Sequence, residues 1–143
     1  MNELNNRSQA LLRRALTANA GFSALSAIVF IAAAGPVAEM VGARPRDIAV
    51  TGVSLVLFAA MIVLVLTRFN FEKRWIRYLS WTIAGLDVLW VVTTPLNVIA
   101  YTPAGKMLFA AIGLVVGLFA VVQIKGLLGA ARSRRGREAL KGA

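Results

Sequence analysis

The chain has 143 residues, 59% of them hydrophobic, with sixteen Lys and Arg against six Asp and Glu and a net charge of +10. One domain of this length has no means of hiding that much apolar surface from water, since soluble composition is nearer half apolar with about a quarter charged, and the balance reads as an all-α integral membrane protein. Cysteine and histidine are absent, which excludes disulfides, thiolate nucleophiles, Ser-His-Asp and Cys-His hydrolases, His-ligated haem and nearly every transition-metal site.

In chain order, residues 1–14 form a basic segment with Arg7, Arg13 and Arg14. A bilayer core about 30 Å thick needs roughly 20 apolar residues per helix. Four runs meet that length, at about 15–34, 48–67, 76–99 and 106–128, and together they define a four-helix transmembrane domain over 15–128. Gly35-Pro36 closes the first run, Arg44-Pro45-Arg46 precedes the second, Arg68 to Arg77 separates the middle pair, and Tyr101-Thr102-Pro103 opens the fourth. Turn-forming Gly and Pro signals therefore mark the breaks between the runs. Pro36 to Gly42 has the makings of one short amphipathic turn. Residues 129–143 form a basic tail, interrupted by glycine and expected at the lipid headgroups. Arg13-Arg14, an apolar stretch and Ala32-Ala33-Ala34-Gly35 also fit a cleaved signal peptide, but the run exceeds a usual signal core and a retained first helix keeps the charge pattern consistent.

Thirteen of the sixteen basic residues lie in the amino-terminal segment, the middle loop and the carboxyl tail, leaving Arg44, Arg46 and Lys106 for the opposite side. The positive-inside bias then places both termini in the cytoplasm, N-in and C-in, in what reads as a bacterial inner membrane. Topology partitions this positive charge, with no aromatic-rich soluble module to present it. The expected contacts are anionic lipid headgroups at the cytoplasmic face, not nucleic acid.

The two halves share a pattern. Ala20-Gly21-Phe22-Ser23-Ala24-Leu25-Ser26 in the first run parallels Ala84-Gly85-Leu86-Asp87-Val88-Leu89-Trp90 in the third, and Gly52 to Ala59 in the second parallels Gly113 to Ala120 in the fourth. This predicts two tandem parallel helical hairpins related by a pseudo-twofold along the membrane normal, with helices one and three equivalent. Ser23 and Asp87 would then lie at the same depth.

Asp87 is the one acid inside a run, about 15 Å beyond Arg77 at 1.5 Å per residue and so near the bilayer centre. An intramembrane carboxyl costs at least ~2.5 kcal/mol and is a functional candidate by default. Trp90, Thr94 and Asn97 follow it on the same helical face, and Asn19, Ser23 and Ser26 make a matching polar face on the first helix. Packed together, these residues predict a polar seam inside an apolar bundle. A purely structural network, in which a protonated Asp87 donates to Ser23 or Ser26 and fixes register, competes with ligand or proton handling. Pro95, following Thr93-Thr94, adds a candidate kink. Gly113 and Gly117 form a GxxxG expected at a close helix contact, within the chain or between copies. Trp75, Tyr78, Trp81 and Tyr101 read as interfacial anchors, and Gln123 as a second polar point near the cytoplasmic end.

A single acid with Ser and Thr neighbours lacks the paired carboxylate, base or metal cluster of an intramembrane enzyme. Phosphate-loop and dinucleotide fingerprints are missing as well. The chain is read as a non-enzyme without cofactor or metal: a small integral-membrane subunit or scaffold acting by binding membrane partners or lipid, with homo-oligomers or a larger membrane complex as its protein partners. The alternative is a small oligomeric transporter or channel using Asp87 as its proton- or cation-coupling residue, followed by binding of an isoprenoid-like lipid without chemistry. A hydrated cavity at Asp87 separates the readings, since dry packing favours the subunit.

Overall fold

The computed structural model describes residues 2–68 and 74–141, with side chains for 7–68, 74–96 and 98–132. Among the described residues the elements are five helices: α1 (Asn2–Ala32), α2 (Ala34–Val41), α3 (Pro45–Thr67), α4 (Arg74–Asn97) and α5 (Pro103–Lys141). All but the short α2 are long and apolar enough to cross a membrane. The loop residues 69–73 lie outside the described part of the chain.

The first and last helices outrun their hydropathy. α1 begins at Asn2 and not at residue 15, and α5 continues to Lys141 instead of stopping near 128. The carboxyl tail is therefore helical over most of its length. Hydropathy locates the apolar part of a helix, whereas helicity needs only good formers and few breakers. Residues 2–14 contain neither Gly nor Pro, and 129–141 are mostly Ala, Arg, Leu, Glu and Lys. The two helices run antiparallel, with Gly126 against Leu12 and Gly129 beside Ser8.

At the opposite end α2 forms a lid. The chain leaves α1 at Ala33, and Pro36 falls in the first turn of α2, where a missing N–H costs nothing. Val37, Ala38 and Val41 are buried. Gly42 ends the helix at φ +76°, a left-handed conformation suited to glycine, and the Ala38 carbonyl accepts N–H bonds from Gly42 (2.8 Å) and Ala43 (3.0 Å). The connection between α4 and α5 is tied to this lid. Thr102 donates its N–H to the Val41 carbonyl (3.0 Å) and its hydroxyl to the Met40 carbonyl (2.6 Å). Tyr101, read above as an interfacial anchor, packs on Phe109 with ring centroids 5.3 Å apart. Phe30, Val37, Val41, Ile48 and Phe109 make the core at this end.

The other end has its own core, in which Leu12 and Leu16 of α1 meet Ile62 and Val65 of α3, Ile76 and Ile83 of α4, and Leu127 of α5. Around the bundle α1 packs closely on α3 and on α5, α4 packs on α5, and α3 and α4 touch only lightly. α1 and α4 are thus diagonal partners and not neighbours. Outward faces are apolar: Leu25, Val50, Leu57, Leu89, Leu96 and Leu114 are all well exposed, the reverse of a water-soluble bundle.

Candidate functional site

Regular helical spacing delivers the polar groups to the interior. On α4 the inward positions are Ile76, Ser80, Ile83, Asp87 and Thr94; on α5 they are Val116, Ala120, Gln123, Leu127 and Ala130; on α1 Asn19 and Ser23 continue the stripe of Leu12 and Leu16. These steps of three, four and seven trace one face of a helix. Asp87 is 3% exposed, Asn19 1% and Gln123 0%.

The three meet between the two apolar cores. Asn19 Nδ2 donates to Asp87 Oδ2 at 2.7 Å, and Gln123 Nε2 donates to the same oxygen at 2.9 Å. Ser23 Oγ donates to Asn19 Oδ1 at 3.3 Å. The bond from Asn19 crosses the bundle diagonal, so one carboxylate oxygen ties α1, α4 and α5 together. Two atoms remain over. Asp87 Oδ1 accepts no hydrogen bond among the described residues, and the buried Gln123 Oε1 has no partner.

Beside this cluster lies a cavity of about 490 Å³ with walls from all four long helices. That size falls within the roughly 300–1,000 Å³ of small-molecule sites. Asp87 and Asn19 stand in its wall, together with the hydroxyls of Ser23, Ser26, Thr51, Ser54 and Thr93; the remaining lining is aliphatic or aromatic. Leu57 of α3 and Leu89 of α4 both line the cavity and are 68% and 56% exposed. The cavity therefore opens sideways through the light α3–α4 contact.

The expected seam is realised in part. Asn19, Ser23 and Asp87 are joined by hydrogen bonds, and Ser26 and Trp90 line the cavity. Neither serine is the partner of Asp87: Asn19, one turn before Ser23, reaches it instead, because its longer amide spans a diagonal that a serine hydroxyl does not. Trp90 contributes its ring, stacked on Phe109 at 6.4 Å. Thr94 is buried, but its hydroxyl is spent on the Trp90 carbonyl of its own helix (2.6 Å). Pro95 leaves the Val91 carbonyl without its helical N–H, yet α4 continues to Asn97. The Asn97 side chain lies outside the described residues. Gln123 is the member that sequence reasoning undervalued, and its place in the inward register of α5 was the signal.

Gly113 and Gly117 face α4, but loosely: a Cβ at either would sit 3.9 Å from Trp90 or Val91, an ordinary contact. Close approaches occur at other glycines. A Cβ on Gly52 would lie 2.7 Å from Ile31, one on Gly105 2.8 Å from the Val41 backbone, and one on Gly126 2.9 Å from Leu12. No protein-family model matches the chain, and no curated protein or solved structure does so either.

Proposed function

We propose that the chain is an integral protein of a bacterial inner membrane, with both termini cytoplasmic, that binds an apolar molecule drawn from the bilayer. The single observation carrying this reading is the cavity at Asp87, open sideways between α3 and α4. An apolar volume of this size offers extensive dispersion contacts to an acyl or ring-bearing occupant. Of the two arms of the subunit reading, membrane partners or lipid, the cavity favours lipid. The apolar outer faces and the predominance of basic residues at one end support insertion and orientation. No catalytic role is assigned.

We further read the bundle as two tandem hairpins, α1–α3 and α4–α5. Supporting this, each pair packs closely, α1 and α4 are diagonal, and Ser23 and Asp87 are equally buried at 3%. The halves then differ where function requires it: the α1–α5 junction is tight, while its counterpart α3–α4 is loose and forms the cavity mouth.

The experiment is extraction of the native protein in polymer-bounded membrane discs, followed by mass spectrometry of what remains bound after exchange into lipid-free detergent. Wild type should retain a discrete apolar species. Ser26→Phe, which places a ring in the cavity, should lose it. Identical bound species in both proteins would refute the reading. A second reading, a small oligomeric transporter or channel, is favoured by the uncommitted Oδ1 of Asp87 in the wall of a cavity near mid-span. Proton or cation flux in proteoliposomes that disappears in Asp87→Asn would establish it.

A further inference from the structure

The cavity wall is rich in acceptors, and the donors it keeps uncommitted are the Ser26 hydroxyl and the Trp90 indole N–H. Thr51 donates its hydroxyl proton to the Asp47 carbonyl (2.9 Å), Ser54 to that of Val50 (3.0 Å), and Thr93 to that of Leu89 (2.8 Å). Ser23 gives its proton to Asn19, and Asn19 gives an amide proton to Asp87. The Thr51 and Ser54 hydroxyl oxygens keep a lone pair, and Asp87 Oδ1 accepts nothing from the described residues. Among the described residues no Lys or Arg lines the cavity. An anionic head, such as a carboxylate or phosphate, meets no cation among the lining residues, only the neutral Ser26 and Trp90 donors, and has a carboxyl group in its way.

We propose that the cavity selects an amphiphile with a hydrogen-bond-donating, basic nitrogen head, which docks on Asp87 Oδ1 while its apolar body lies between α3 and α4 against Phe30, Phe58 and Trp90. This rests on the bilayer-ligand reading and adds the chemical class of the ligand. Oδ2 is saturated by Asn19 and Gln123, which leaves Oδ1 as the carboxyl oxygen of this cavity-lining residue open to a ligand. A protonated amine meets a carboxylate there directly. A neutral amine meets a carboxylic acid whose proton can move from Oδ1 to nitrogen, and both routes end at the same ammonium–carboxylate pair. The mouth between α3 and α4 admits such a molecule from the bilayer with its tail still in an apolar medium.

The test uses Trp90 as a reporter from within the cavity. Trp75 and Trp81 are replaced by Phe, leaving Trp90 as the sole tryptophan of the three, and the full chain is placed in nanodiscs of zwitterionic phosphatidylcholine. Quenching of Trp90 by 12-bromododecylamine is then competed with dodecylamine, dodecanol and dodecanoate, three heads on one tail. Dodecylamine should compete at least about tenfold better than dodecanoate, the difference one charge-assisted hydrogen bond makes. Asp87→Asn, which can still accept from Asn19 and Gln123, should bring amine and alcohol within about twofold of each other. Equal competition by all three heads, preference for dodecanoate, or an amine advantage that survives Asp87→Asn overturns the assignment of the head while leaving a bilayer ligand in place. Quenching that is the same in Ser26→Phe as in its parent overturns the ligand reading itself.

Discussion

Asn19 and Asp87 stand 68 positions apart in sequence and meet at 2.7 Å across the diagonal of the bundle, on helices that are not neighbours around it. The bond is a strut: with Gln123 on the third side, it fixes the spacing of α1, α4 and α5 around one carboxylate oxygen. The cavity lies directly beside it, with Asn19 and Asp87 in its wall.

Asp87→Asn and Asp87→Leu should therefore differ sharply in stability. Asparagine keeps an oxygen able to accept from both amides. Leucine leaves two buried N–H donors unpaired, at a cost of about 1–3 kcal/mol each in water-soluble cores and less where membrane partners are found. Thermal unfolding in detergent should place Asp87→Asn within a few degrees of wild type and Asp87→Leu clearly below it. Equal loss in both variants would show that charge, not hydrogen bonding, is what the bundle requires.

Gln123→Leu should be nearly neutral, whereas Asn19→Leu should not. Gln123 contributes one hydrogen bond but also buries the orphaned Oε1, so an apolar replacement removes a favourable and an unfavourable group together. Asn19 is donor to Asp87 and acceptor for Ser23, and its loss strands both. Denaturant titration of the purified proteins should rank Asn19→Leu below Gln123→Leu by about 1 kcal/mol or more. The reverse order would place the central hydrogen bond at α5.

Among the glycines, Gly126→Ala should destabilise and Gly113→Ala should not. A methyl at Gly126 meets Leu12 Cβ at 2.9 Å and its backbone at 3.2 Å, so α1 and α5 must part, at a cost of about 1–3 kcal/mol. At Gly113 the nearest atom is 3.9 Å away, and alanine gains up to about 1 kcal/mol of helix propensity. Helix unfolding followed by circular dichroism during detergent titration resolves the pair.

Single cysteines test orientation cleanly, because the native chain has none. Ala43→Cys, in the turn after α2, should react with an impermeant maleimide added to intact cells, and Asn70→Cys should react only after permeabilisation. Labelling of Asn70→Cys alone in intact cells would invert the topology.

Composition and the placement of Gly, Pro and Arg were enough to count the long apolar helices, because a bilayer-length apolar run punctuated by turn residues has one economical conformation. The inward face of α4 was legible for the same reason: Asp87 and Thr94 lie seven residues apart, on one stripe. Local sequence also carried the antiparallel order of neighbouring helices through the short connections. What it did not carry was which helices become neighbours. Outward-facing and partner-facing positions are equally apolar, so hydropathy did not reveal that α1 and α4 would sit diagonally, that Asn19 and not a serine would reach Asp87, or that close glycine contacts would fall at 52, 105 and 126. Those outcomes depend on side-chain length measured across a packed interior, and the opening between α3 and α4 on how lightly those two helices pack.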